Sequence, residues 1–273
     1  MKISFKILVT GTIVFLMAAC HNSSVKQKSK PDSSHENQAS EKFGKISSLH
    51  DTVGLLKLFK SIAIIKNVAY YRDSSGVLIG DAINAIMKMP IKQQERYVVL
   101  FVSSRFDSIG KPGLRCFVDP GIVSMAEVDN IDGVYRVTGF SSHFDSVGAN
   151  GNPGQFSLEK FGTENYLLHI SSAVEGQGEV YGLEEYFDIP KCDKVFEMDN
   201  YDNEDAWGAN DKDFKKIERE IKNIPMANTQ YDDLEVTTTI TRYNTKTRRN
   251  YSVISKKYYH MDDRANKYKE FKK

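Results

Sequence analysis

Strand-like stretches of apolar and aromatic residues, some in alternation with polar ones, recur along this chain, and a helical period takes over in a few places. From Asp51 to Ala63, Val53, Leu55, Leu56, Leu58, Phe59 and Ile62 fall close to one helical face, with Asp51 positioned to cap the first turn. From Ile64 the β-branched and aromatic run IIKNVAYY reads as strand. Asp81 to Met89 reads as a short capped helix stopped by Pro90, and Asp119-Pro120 as the start of a further helical turn. Asp211 is placed to cap another helix, carrying Phe214, Ile217, Ile221 and Ile224 on one face and ending at Pro225. Residues 234–243 and 251–259 alternate again and predict a hairpin joined through Asn244 to Asn250, with Leu234, Val236 and Ile240 facing a core.

An internal echo accompanies the alternation. Asp73-Ser74-Ser75-Gly76, Asp107-Ser108-Ile109-Gly110 and Asp145-Ser146-Val147-Gly148 share the pattern DSxG, and YVVLFVSSRFDSIG from Tyr97 matches YRVTGFSSHFDSVG from Tyr135 over a longer stretch. YLLHISS from Tyr166 is a weaker further member. Each is a strand entering a turn in which the Asp carboxylate accepts backbone N–H groups and Gly takes positive φ. Only two copies match well, so the pattern favours one antiparallel domain over a strict repeat fold. The expected class is α+β, dominated by antiparallel β-hairpins with a few short peripheral helices, in a single domain over residues 45–273.

The amino terminus is built differently. Lys2 and Lys6 precede an apolar run from Ile7 to Met17, and Ala18 and Ala19 are small residues suited to a peptidase cleft. The run is short of the roughly 20 residues that span a bilayer. Met17-Ala18-Ala19-Cys20 resembles the lipobox of bacterial lipoproteins, with Met17 where leucine is usual. The resemblance covers this segment alone. It implies cleavage of residues 1–19, a diacylglyceryl thioether on Cys20, and membrane attachment through two or three acyl chains. One chain binds only marginally, but several hold firmly. His21 stands where an aspartate would favour inner-membrane retention in Gram-negative lipoproteins, so the resemblance further implies the periplasmic face of the outer membrane. Residues 20–44, the lipidated Cys20 and the polar stretch after it, read as a disordered tether. As a flexible coil it would reach roughly 25 to 30 Å.

Charge adds segregation rather than sign. The chain has 37 Lys and Arg against 36 Asp and Glu, a balance that argues against a nucleic-acid partner. Residues 175–205 are acidic and residues 246–273 basic, which makes Glu197, Asp199, Asp202, Glu204, Asp205, Arg248, Arg249, Lys256 and Lys257 candidate binding residues for a protein partner, set against mutual pairing or plain solvation. Cys116 and Cys192 form an even pair in an oxidising compartment, and a disulfide between them would stabilise the fold by about 4 kcal/mol in the chain-entropy model.

Recognisable catalytic chemistry is sparse. GxSxG, HExxH and the Walker A loop do not occur. Ser142, His143 and Asp145 have triad residue types, but neighbours in a strand point to opposite faces. The run from Asp199 to Gly208 offers oxygen ligands without the glycine offset of an EF-hand loop, and His260 beside Asp262 and Asp263 reads as a surface ion pair. No catalytic residue, metal ligand or cofactor is assigned. The expectation is a noncatalytic binding module, in one version an immunity or inhibitor protein against an envelope toxin. The alternatives are a surface-anchored hydrolase using His143, His169 or His260, and a structural component of an envelope assembly. Cys20→Ser is expected to abolish incorporation of radiolabelled palmitate and to release the protein or leave its precursor uncleaved; undiminished labelling of that variant would contradict lipidation at Cys20.

Overall fold

Sixteen strands and one short helix are described in the computed structural model, over residues 43–91, 94–113, 121–148, 152–162, 165–176, 179–189, 191–202, 215–226 and 229–272. These all belong to one compact unit, Ser40–Lys273. The signal segment, Cys20, the tether up to residue 42, Cys116, the turn at Asp119-Pro120, and Glu204 and Asp205 lie outside the described residues.

Strands β1 (Lys45–Ile46), β2 (Ala63–Ile65), β3 (Val68–Arg72), β4 (Leu78–Met89), β5 (Glu95–Ser108), β6 (Lys111–Pro112), β7 (Gly121–Ile131) and β8 (Val134–Val147) form the first sheet. Its order is β1-β8-β7-β5-β4-β3-β2, with β6 beside β5 and every pairing antiparallel. The echoed segments occupy β5 and β8, which run in the same direction on either side of β7. Gly76, Gly110 and Gly148 adopt φ of 83°, 78° and 73°, and Asp73 Oδ1 accepts N–H groups from Ser75 and Val77. The DSxG pattern is thus a turn-forming device, as its chemistry requires.

The first sheet curls into a half-barrel. His143 on β8 meets Tyr71 on β3 at 2.8 Å, although in a flat sheet four strand spacings, about 19 Å, would separate them. The concave side is filled by helix α1 (Thr52–Leu56) and the turn after it. Leu55 and Leu56 are fully buried, and the Phe59 ring packs edge-on against Phe101 at 5.0 Å and Phe140 at 5.1 Å. Asp51 caps the helix as expected, its Oδ1 accepting the Gly54 N–H at 2.9 Å; a side chain at Gly54 would collide with that carboxylate. The helix is shorter than its apolar period suggests. Leu58 and Phe59 bond back to Leu55 and Leu56, three residues earlier, and this tightened turn feeds the β-branched run of β2.

Strands β9 (Gln155–Lys160), β10 (Tyr166–Gly176), β11 (Glu179–Asp188), β12 (Lys194–Asp202), β13 (Lys215–Ile224), β14 (Asp233–Asn244), β15 (Arg249–Asp262) and β16 (Lys267–Phe271) make the second sheet in strict sequence order. It curls too, bringing Phe196 of β12 to 5.8 Å from Tyr268 of β16 and 5.1 Å from Tyr259 of β15. Leu234 and Val236 are buried in this core, as the hairpin pattern predicts, while Ile240 lies farther out and is half-buried. The two sheets pack face to face along Val98, Leu100, Val123 and Met125 against Leu168, Ile170 and Phe187. Cys192 is buried in the same seam; its expected disulfide partner, Cys116, lies outside the described residues.

Among the described residues antiparallel β-structure dominates, with 69% in strands and 3% helical, so helices supply no layer of the described fold. Two expected helices are strands over their described residues; the Asp211 cap and Phe214 lie outside those residues. In β4 the register shifts between Ile83 and Ala85, so the face carrying Ala82 continues at Ala85; this three-residue step mimics a helical period. In β13 the inward positions are Ile217, Arg219 and Ile221, with Glu218, Glu220 and Lys222 exposed. A charged residue at an inward position hides the period of two.

One polar clamp ties the sheets together. Lys194 of β12 donates to buried Glu185 of β11 and lies 3.1 Å from both Glu197 and Asp145, the last on β8 of the other sheet. Burial disfavours its charge, but these carboxylates outweigh burial and raise the ammonium pKa. Lys194→Met strands Glu185 and is expected to lower stability by about 3 kcal/mol. Lys269→Met, which breaks only the solvent-exposed pair with Asp262, should cost far less. Urea unfolding midpoints check the difference, and equal losses would contradict the clamp.

Candidate functional site

An exposed strand, β15, stands at the border of a ribbon that it forms with β14 and β13. Among the described residues β12 pairs with β13 only at Tyr201↔Ile217 and Asp202↔Lys216, and β13 from Glu218 onward is left unpaired on that side. β16 covers β15 only from Tyr258 to Asp262. Every residue from Arg249 to Lys257 is exposed, with β14 on one side and no strand on the other among the described residues.

Cross-strand rows set the chemistry of its faces. Ile217, Ile240 and Val253 lie side by side on one face, bordered by the rows Arg219–Thr238–Ser255 and Lys215–Arg242–Tyr251. The opposite face carries Glu218–Thr239–Ile254 and Glu220–Thr237–Lys256. Tyr251, Val253 and Ile254 are 45%, 55% and 65% exposed, an unusual concentration of apolar surface on one edge strand. At the tip, Asn244 Oδ1 accepts the Lys246 and Thr247 N–H groups, and Arg248 takes a φ of 53°.

The structure separates the candidate binding residues. Glu197 is committed to Lys194 and Asp199 to Arg219 at 3.2 Å, so both brace the fold. Asp202 ends β12, and Glu204 and Asp205 lie outside the described residues. Lys256 pairs with Glu235 at 2.6 Å and Lys257 with Glu270 at 2.7 Å, both solvent-facing. Arg248 and Arg249 join Arg242 and Lys246 at the ribbon tip, and these four make no ion pair among the described residues. Among the described residues, Glu197, Asp199, Lys256 and Lys257 therefore pair with other partners rather than with one another.

Two histidines sit in polar clusters. His143, in a bulge opposite Ser124 and at φ 52°, faces the Tyr71 hydroxyl and lies 3.3 Å from Asp81 Oδ1, while its N–H donates to Ser124 Oγ at 2.8 Å. Asp81 is fully buried, accepts from Ser103 Oγ, and has no partner for Oδ2 among the described residues. Burial and the Asp81 charge raise the Tyr71 pKa. Asp145, the sequence neighbour considered for a triad with His143, is instead paired with Lys194 on the other sheet.

His169 of β10 is held between Glu159 and Glu184, each at 2.7 Å, and stacks on Tyr186 at 4.5 Å; Ser157 Oγ lies 3.1 Å from its Nδ1. Ser157, His169 and Glu184 are triad residue types in contact. The chemistry differs, because an imidazolium donating to two carboxylates has no lone pair for a serine proton. His260 pairs with Asp233 at 2.6 Å rather than with Asp262 or Asp263. Among the described residues, no group of three or more His, Cys, Asp or Glu is arranged to hold a metal ion.

No family model, curated protein or solved structure matches this chain. The residues of the site therefore rest on geometry alone. Sequence reasoning missed Tyr71 and Asp81, which reach His143 only because the sheet curls, and Ser103 and Ser124, which sit on strands adjacent to Asp81 and His143. It also missed the Glu159–His169–Glu184 set, although its members sit on adjacent strands. The one available signal was a polar residue at an otherwise apolar inward position, as at Asp81, Ser103 and His169.

Burial works against the His169 charge, but the bonds to Glu159 and Glu184 prevail and raise its pKa from 6.5 to about 9. A raised histidine pKa stabilises the fold fully below pH 6.5 and loses that contribution as pH rises through about 9. The melting temperature is expected to fall across this window, and His169→Gln should flatten the fall. A slope unchanged in His169→Gln would contradict the assignment.

Proposed function

We propose that the protein is exported, lipidated on Cys20 and held on the periplasmic face of the outer membrane, where its β-domain acts as a noncatalytic binding module for a protein partner. The observation that carries the binding reading is the β13–β15 ribbon, which sets exposed apolar side chains beside four arginine and lysine residues without ion pairs among the described residues. Folded domains rarely leave such edges open without a use for them. The lipobox-like segment supports the anchored reading, with the tether lifting the domain off the headgroups.

In its concrete form, the module is an immunity or inhibitor protein that engages an envelope toxin through an acidic face. Basic rim residues of this kind speed and orient encounter more than they deepen affinity, so the complex should be salt-sensitive. The His169 cluster favours binding over hydrolysis, since its imidazole is engaged by carboxylates at both nitrogens.

Affinity capture by the full chain in detergent, from envelope extracts at low and moderate salt, tests this reading. The expected result is a stoichiometric protein that is lost with salt, and about tenfold more weakly retained by an Arg248→Glu, Arg249→Glu variant. No captured protein, or one held equally by that variant, would overturn it.

A further inference from the structure

We infer that the open edge of β15, from Arg249 to Lys257, is a strand-addition site for an extended segment of a protein partner, with an apolar residue at its centre and an acidic residue towards each end. This rests on the binding-module reading and specifies how the ribbon would be used. An added antiparallel strand gains main-chain hydrogen bonds along the edge, and alternate side chains then determine specificity.

The sequence of the edge sets the pattern. Arg249, Tyr251, Val253, Ser255 and Lys257 share one face, and Val253 ends the row begun by Ile217 and Ile240. An apolar residue opposite Val253 extends that row. Residues four positions to either side of it then fall opposite Arg249 and Lys257, where carboxylates are favoured. Glu270 occupies Lys257 only through a half-exposed pair, which an incoming carboxylate can share at little cost.

The same charges argue against a second copy of this chain. Antiparallel self-pairing of the whole open segment centres on Val253 and places Arg249 opposite Lys257. Like charges directly opposite are destabilising. Pairing is left to a complementary strand of acidic character.

The test uses the full chain in detergent and synthetic peptides carrying one central valine among threonines, with a glutamate four positions away on each side. The glutamate peptide should bind the wild-type chain. A peptide with lysines in place of glutamates should bind about tenfold more weakly, and Arg249→Glu should narrow or reverse that preference. N-methylation of alternate peptide amides, made in both frames, should abolish binding in the frame whose N–H groups face β15.

Equal binding by both N-methylated frames would overturn strand addition while leaving the charged surface intact. Failure of the glutamate peptide while a salt-sensitive envelope protein is still captured would overturn this inference and spare the binding module. Failure of both would overturn the two together. A dimer in sedimentation that Val253→Pro dissociates would assign the edge to a second copy instead.

Discussion

The structure depends on covering both faces of its central strands. In β5, Val98, Val99, Leu100 and Phe101 are all fully buried, so neither side of that strand can face water. One side is closed by curling the sheet around α1 and the Phe59 turn, and the other by docking β10 and β11 across it. Burying a large apolar side chain contributes about 1.5 to 3 kcal/mol, so consecutive buried positions reward both arrangements at once. The second sheet inherits the problem, because Leu167 and Leu168 of β10 face opposite cores. It solves it by curling over its own far face.

That constraint explains where charge sits. With one core on each side of the seam, polar groups caught at the border need partners, and they are gathered around single cations or held as pairs. Lys194 serves Glu185, Glu197 and Asp145, while Arg96 serves Glu127 and Asp129 on the first sheet. Removing one cation from such a set leaves a buried carboxylate without compensation, which makes these sets braces rather than recognition surfaces. The ribbon lies outside this economy of burial. On β15 the residues from Arg249 to Lys257, apolar and basic alike, face solvent.

Much of the strand content was legible because alternation is local. The β14–β15 hairpin, the Asp51 cap and the DSxG turns could be read from a few adjacent residues, and the structure has them where the spacing put them. The helical readings of β4 and β13 failed for local reasons as well. A bulge at Ile83–Ala85 inserted a step of three, and Arg219 took an inward place through its pairing with Asp199. Of the binding residues, Arg248 and Arg249 lie on the exposed ribbon, whereas Glu197 and Asp199 proved to be held by neighbouring cations.

By itself the sequence determined the alternation, the turns, the capped helix start and the charge segregation, because each is a relation between residues a few positions apart. The resemblance of Met17-Ala18-Ala19-Cys20 to a lipobox is likewise a matter of residue order rather than of folding. Only the tertiary structure decided that Tyr71, Asp81 and His143 would meet, that Lys194 would bridge two sheets, and that β15 would be exposed from Arg249 to Lys257. Those outcomes depend on how far each sheet curls before its faces are covered, and curvature is a property of the whole set of strands that no short stretch of sequence contains.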